Sequence, residues 1–435
     1  MNFSLSPAIM VSPSIRFHPI LRSFVRNLLG AVLLFWTLFP LFSLAASHPV
    51  DPFKEIEIVD PLVMRDSRAA PGGPWHFGTL IRKLLPSQAT DEEVSQFVIQ
   101  WLHEYDTVTS FNGFNVRPRL GVRTRVICPW LNASTGKNDC TGTLDLKKAP
   151  FRLLAIVNRF DLRHSPTSQN GKLQFVFGVL SKPTTNPLSP SVFVTSFSVL
   201  MSYELVGGGC LASRHWARRW HRLGKYACDS SAGCTDYLEA LQEITDAVTD
   251  LRGNACPIPA CSHVPTQARL EVHSNDLAIG SPWQLRRFIL QGGCGKIRQL
   301  KLAGMSRTPD TSLNNSTKLI DWVSKNEVAV RSGNYFLPKE FIGASADETV
   351  GGFSKWRLNG VSEETRFAFA KNTCNGCHSD EFPNIFSTGF FHLSTFGEGK
   401  KKLSSFVLNE EIPRRKKFLE EWLRRETCED THENP

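Results

Sequence analysis

Five consecutive residues, Cys374-Asn375-Gly376-Cys377-His378, constrain this chain more than any other stretch of it. Two cysteines three positions apart stand about one helical turn from each other, so a helix here sets both thiols on one side with the His378 imidazole beside them. The chain holds eleven cysteines, many for a reducing compartment and ordinary for an oxidising one. Outside the motif the other nine are an odd number, so one of them lacks a partner within the chain. Short spacings suggest loop staples at Cys128–Cys140, Cys228–Cys234 and Cys256–Cys261, with Cys210–Cys294 as a longer link and Cys428 left over.

The C-x-x-C-H spacing is the one by which haem is covalently attached, and the segment resembles the attachment site of c-type cytochromes. That resemblance implies one covalent haem c, with Cys374 and Cys377 joined to the porphyrin vinyl groups and His378 as the proximal iron ligand. One motif implies one haem. No methionine follows Cys377, so the Met ligand common in such cytochromes is missing. The expected second metal ligand is His392, fourteen residues past His378, with Met305, Met201 and His273 as alternatives. A bis-histidine haem carries electrons to an unidentified redox partner; an open sixth position instead makes a haem enzyme, and the sequence leaves that choice open. Two rival readings use the same residues: a structural zinc to which His392 adds a ligand, or a dithiol–disulfide pair in a cysteine-stapled extracellular binding protein.

The first residues agree with such chemistry. A basic, acid-free stretch with Arg16, Arg22 and Arg26 precedes an apolar run over 28–42 and the small residues Ser43-Leu44-Ala45-Ala46, which is the pattern of a signal peptide spanning 1–45 and cut after Ala45. Export to the bacterial periplasm or beyond follows, and contact with a membrane is expected only if the segment stays uncleaved as an anchor. Removing it leaves 47 basic against 41 acidic residues spread along the chain, a mild excess that makes no case for nucleic acid.

Roughly 390 mature residues suggest a large body and a smaller terminal unit. Thr90 and Glu93 form a capping-box pattern, followed by Val94, Phe97, Val98, Trp101, Leu102 and Tyr105 at helical spacing. Strand patterns cover 151–157, 173–180, 192–203, 269–273, 284–290 and 297–302. Between them lie two helices, one opened by Ser213 and carrying Trp216, Trp220 and Leu223, the other carrying Leu238, Leu241, Ile244, Val248 and Leu251. The expected fold class is α+β: an antiparallel β-rich body over 46–345 with helical insertions on one side, then a small, mostly helical, cytochrome c-like unit over 346–435. Ser362 opens a helix over 363–371 that runs into the motif, Pro413 opens another carrying Phe418, Leu419, Trp422 and Leu423, and glycines 351, 352 and 360 mark the boundary.

The whole chain also resembles a group of large exported bacterial proteins of unassigned function. The similarity rests on residues 366–378 (RFAFAKNTCNGCH), on Phe390-Phe391-His392, on 149–163 (APFRLLAIVNRFDLR), on 216–223 (WARRWHRL) and on Ser281-Pro282-Trp283-Gln284-Leu285-Arg286. It implies that body and motif belong to one architecture. Weaker clusters read as structural: Asn158, Arg159, Asp161 and Arg163 as a salt-bridged turn, and His215 and His221 as residues pointing apart on one helix. The chain has no H-E-x-x-H, G-x-S-x-G or dinucleotide fingerprint, and Gly292-Gly293-Cys294-Gly295-Lys296 lacks the P-loop spacing.

Overall fold

Alternating large apolar residues build the centre of the molecule, an eight-stranded antiparallel sheet. The computed structural model describes residues 48–162, 171–189, 192–207, 209–250, 270–281, 283–293, 296–347, 356–378, 392–395, 397–425 and 427–428. The strands are β1 (Glu57–Ile58), β2 (Phe151–Arg159), β3 (Lys172–Leu180), β4 (Val194–Glu204), β5 (Leu270–Asn275), β6 (Gln284–Gly293), β7 (Lys296–Ala303) and β8 (Ser345–Asp347). They lie in the order β1-β2-β3-β4-β5-β6, and the free edge of β6 is shared by β8 along its first residues and β7 along the rest. The α+β class read from the sequence is the one observed. All six strand patterns of the sequence are realised, although β4 starts at Val194 instead of Val192.

One face of the sheet carries an aromatic core. Phe151, Phe175, Phe177, Phe197 and Phe288 project from β2, β3, β4 and β6 and are buried. Helix α1 (Phe77–Arg82) lays Phe77 flat on Phe151 at 3.8 Å between ring centroids and edge-on to Phe177 at 5.4 Å. Helix α2 (Asp91–Thr107) opens with the expected capping box: the Thr90 side chain accepts from Glu93 N, and Thr90 N donates to Glu93 Oε2. Its Trp101 and Tyr105 pack on Phe288 at 6.1 and 5.1 Å. Helices α3 (Gly209–Arg222) and α4 (Thr235–Thr249) bury Trp216, Trp220, Tyr237 and Leu241 in the same core. Ser213 does not open α3 as expected. The helix starts at Gly209, and the Ser213 hydroxyl donates back to the Gly209 carbonyl, the usual arrangement of a serine inside a helix. Leu251 lies outside the described residues.

The opposite face is smaller and is also covered, so the helices-on-one-side expectation is incomplete. Ala155, Val157, Val176 and Leu200 meet Leu393, Leu403, Phe406, Val407 and Ile412 from the segment that leads into the last helix. A bulge between Leu153 and Ala155 lets β2 feed both faces, with Leu153 in the aromatic core and Ala155 on the other side.

A third cluster joins helices α5 (Thr317–Lys325), α6 (Glu327–Arg331) and α7 (Glu363–Lys371) around Leu319, Val323, Val330, Trp356 and Phe369. Ser362 caps α7 as expected, accepting from Thr365 N. This cluster combines residues from both sides of the expected 345/346 boundary. The final helix, α9 (Ile412–Arg424; α8, which it follows, is the motif turn Cys374–Cys377), does not stay beside α7 either: Phe418 and Trp422 pack on Phe160 at 5.8 and 5.9 Å, in the body. The described residues from Val50 onward form one compact unit. The glycines at 351 and 352 lie outside the described residues, as does the expected signal segment. Among the described residues no helix is long and apolar enough to cross a membrane.

Cys128–Cys140 and Cys228–Cys234 pair as the sequence suggests. Cys428 is not left over. It bonds to Cys210, because α9 runs alongside α3 and brings the chain end to the start of that helix, and the expected Cys210–Cys294 link is thereby excluded. Cys256, Cys261 and Cys294 lie outside the described residues.

Candidate functional site

The motif is held by its flanks before any ligand is considered. Helix α7 ends at Lys371, the chain turns, and Thr373 starts the four-residue helix α8 by accepting from Gly376 N. Gly376 is required there: a Cβ would collide with the Ala370 carbonyl oxygen. The indole of Trp356, fully buried, donates to Thr373 Oγ1 at 2.9 Å and to Asn375 Oδ1 at 3.2 Å, and its ring meets Phe369 edge-on at 5.5 Å. Arg366 is tied to Glu363 and to the Trp356 carbonyl. Thr308 accepts from Cys374 N at 2.8 Å. The helical turn is thus held from outside by Trp356 and Thr308 and closed by its own Thr373 cap, with Arg366 anchoring Trp356.

Cys377, His378 and His392 come together. Cys377 Sγ lies 3.4 Å from His392 Nε2, and the two imidazole rings are 4.3 Å apart between centroids at 46°. Behind His392, its Nδ1 faces Ser404 Oγ at 3.3 Å, its carbonyl accepts from Ser404 N, and Phe406 packs on its ring at 5.2 Å. On the other side Trp283 covers His378 at 5.2 Å. Just beyond Trp283, the Arg119 and Arg286 guanidiniums flank the buried Asp276 carboxylate at 3.6 and 3.5 Å.

Burial sets the protonation of these groups. The Cys377 thiol is pushed up to about 12, chiefly because its apolar surroundings desolvate the thiolate, and the neighbouring Cys374 adds to the rise. Cys374 is raised for the same first reason, with its hydrogen bond to Thr308 acting against it. His392 is pushed well below its ordinary value by burial, then by the nearby His378 and Arg415 charges, so its ring is neutral and has a lone pair to give. Both motif cysteines are free thiols, whereas the other six described cysteines are paired.

Of the alternative ligands, Met201 points into the aromatic core, away from the face on which Cys377 packs. His273 lies on that face, paired in register with Leu200, and burial pushes it down to about 4. Met305 is buried in the turn that leads to Thr308. The Asn158–Asp161 cluster is a salt-bridged turn as expected: Arg159 and Arg414 both hold Asp161, Asn158 caps Phe160 N, and Arg163 lies outside the described residues. His215 and His221 separate as expected, His221 reaching Glu55 and His215 lying against Trp216.

Several groups that shape the site escape a reading of the sequence. Trp283 lies in the stretch 281–286 singled out in the sequence, but nothing there says what it touches. Thr308, Trp356, Ser404 and Phe406 carry no pattern at all; only the fold brings them to the motif. No family model, no curated protein and no solved structure matches this chain.

Proposed function

We propose that this chain is an exported protein of the bacterial periplasm or exterior that carries one covalent haem c and transfers electrons to a redox partner. Cys374 and Cys377 would hold the porphyrin, and His378 and His392 would ligate its iron. The observation that carries the reading is the contrast among the cysteines: six are paired, while the two at C-x-x-C-H spacing remain protonated thiols beside two imidazoles. The donor set fits the group, since thioether formation uses two reduced thiols and iron of this class takes imidazole nitrogen. Haem attached there supplies a one-electron centre. The chain's own residues then have distinct tasks: Thr373, Gly376 and Trp356 keep the helical turn in shape, Trp283 shields His378, and Ser404 orients His392 through its Nδ1. With the rings 4.3 Å apart, axial ligation by both histidines requires them to separate.

The test is to express the precursor in bacteria with cytochrome c maturation genes and to record reduced and pyridine-treated spectra of the exported fraction. A c-type α-band that survives acid-acetone extraction is expected, with a low-spin spectrum that His392→Ala converts to high spin. A colourless folded protein contradicts the reading. A low-spin spectrum unchanged in His392→Ala removes His392 from the site, and a high-spin native spectrum favours an enzyme with an open iron position.

A further inference from the structure

Away from the motif, a cleft of about 190 Å3 opens between β2 and the turn that follows His392. It exposes more polar than apolar surface, and the apolar part of its lining includes Val59, Leu153, Leu154 and Val194, each nearly buried. Its rim is cationic. Arg65, Arg152 and Lys402 line it together with a single acid, Glu398, which pairs with Arg65. Arg152 spends its guanidinium on the carbonyls of Pro187, Ser189 and Val192, contacts that fix its position and leave its charge uncompensated. Among the described residues the half-buried Lys402 ammonium has neither a carboxylate nor a hydrogen-bond partner. Thr395, also in the lining, has a buried hydroxyl with no partner.

We propose that this cleft binds a small organic anion: a carboxylate with a short apolar tail, the tail on the leucine and valine part of the lining and the carboxylate at Lys402, Arg152 and Thr395. Three cations against one acid leave a positive excess in a partly enclosed space, and an anion is what relieves it. The apolar part of the lining gives a short tail a contact that a bare inorganic anion lacks. At ~30 Å3 per water-sized group the cleft holds about six such groups, the size of hexanoate or benzoate, too small for a lipid or peptide. The charge on Lys402 agrees with an unfilled anion site: burial first, then Arg152 and Arg65, push it down to about 8, with Glu398 opposing. The site does not depend on whether the motif carries haem.

Calorimetric titration of the exported full-length protein with hexanoate at pH 7 tests this. Saturable binding with a Kd of roughly 0.1–1 mM is expected for so small a ligand. Lys402→Met is expected to weaken it roughly tenfold or more and Lys402→Arg to retain it, with circular dichroism unchanged in both. Wild-type affinity is expected to fall between pH 7 and 9 as Lys402 loses its proton; Lys402→Arg is expected to show no such fall. Hexylammonium and hexanol are expected not to bind, and inorganic phosphate to bind far more weakly than hexanoate. Absence of saturable hexanoate binding, equal binding by Lys402→Met, a flat wild-type pH profile, or phosphate binding as tight as hexanoate would each overturn the proposal.

Discussion

The two faces of the sheet are built for different purposes. One is filled by aromatic side chains from four strands and closed by helices that include α1 to α4 and α9. The other carries smaller residues, Ala155, Val157 and Val176, under the segment that leads into α9, and Cys377 packs there as a protonated thiol. Large aromatic burial gives the first face most of the stability. The second face is the one on which Cys377 of the motif packs.

Ways to break that comparison can be ordered by size. Phe77→Ala removes the ring stacked on Phe151 and set edge-on to Phe177 and is expected to cost about 3–5 kcal/mol in urea unfolding, with thiol content at the motif unchanged. Equal disturbance of both faces by that variant would dissolve the distinction. Replacing Cys210 and Cys428 together by serine frees the chain end across a span of 218 residues and is expected to cost about 2–4 kcal/mol, read as an earlier urea midpoint.

The third test uses pH. His273, on the motif face, is held neutral by burial and titrates near 4 in the folded chain against an ordinary 6.5. Its lowered value means the unfolded chain binds the proton first, so stability falls as pH drops from about 6.5 towards 4, by on the order of 2–3 kcal/mol. His273→Gln is expected to flatten that slope, and an identical acid profile in the variant would show that the imidazole is charged in the fold. Smallest is Ser404→Ala, expected to cost about 1 kcal/mol or less while altering the visible spectrum through the orientation of His392.

How much of this could be read from residues alone varied with the kind of order involved. Helix α2 was legible because its capping box and its apolar stripe sit within one continuous stretch, and the strands were legible because alternation survives on a sheet with one dominant core. Cys210–Cys428 was hidden, since the pairing depends on two distant helices lying side by side. The domain boundary failed for a related reason: α5 and α6 precede it in sequence yet close the same apolar cluster as α7. At the site, Cys374, Cys377, His378 and His392, the donors proposed here, stand out in the sequence through spacing and side-chain chemistry, and the fold brings Cys377, His378 and His392 together. Their supports do not stand out, because Thr308, Trp356 and Ser404 act through single hydrogen bonds that leave no periodic trace.

The most direct measurement of the central claim is the intact mass, under denaturing conditions, of the protein exported from a strain with haem-attachment machinery, alongside its Cys374→Ser, Cys377→Ser variant. The account expects the wild-type polypeptide, starting at Ala46, to carry the added mass of one haem and the variant to carry none. A wild-type mass equal to the polypeptide alone, in a strain that matures a control cytochrome, would contradict it.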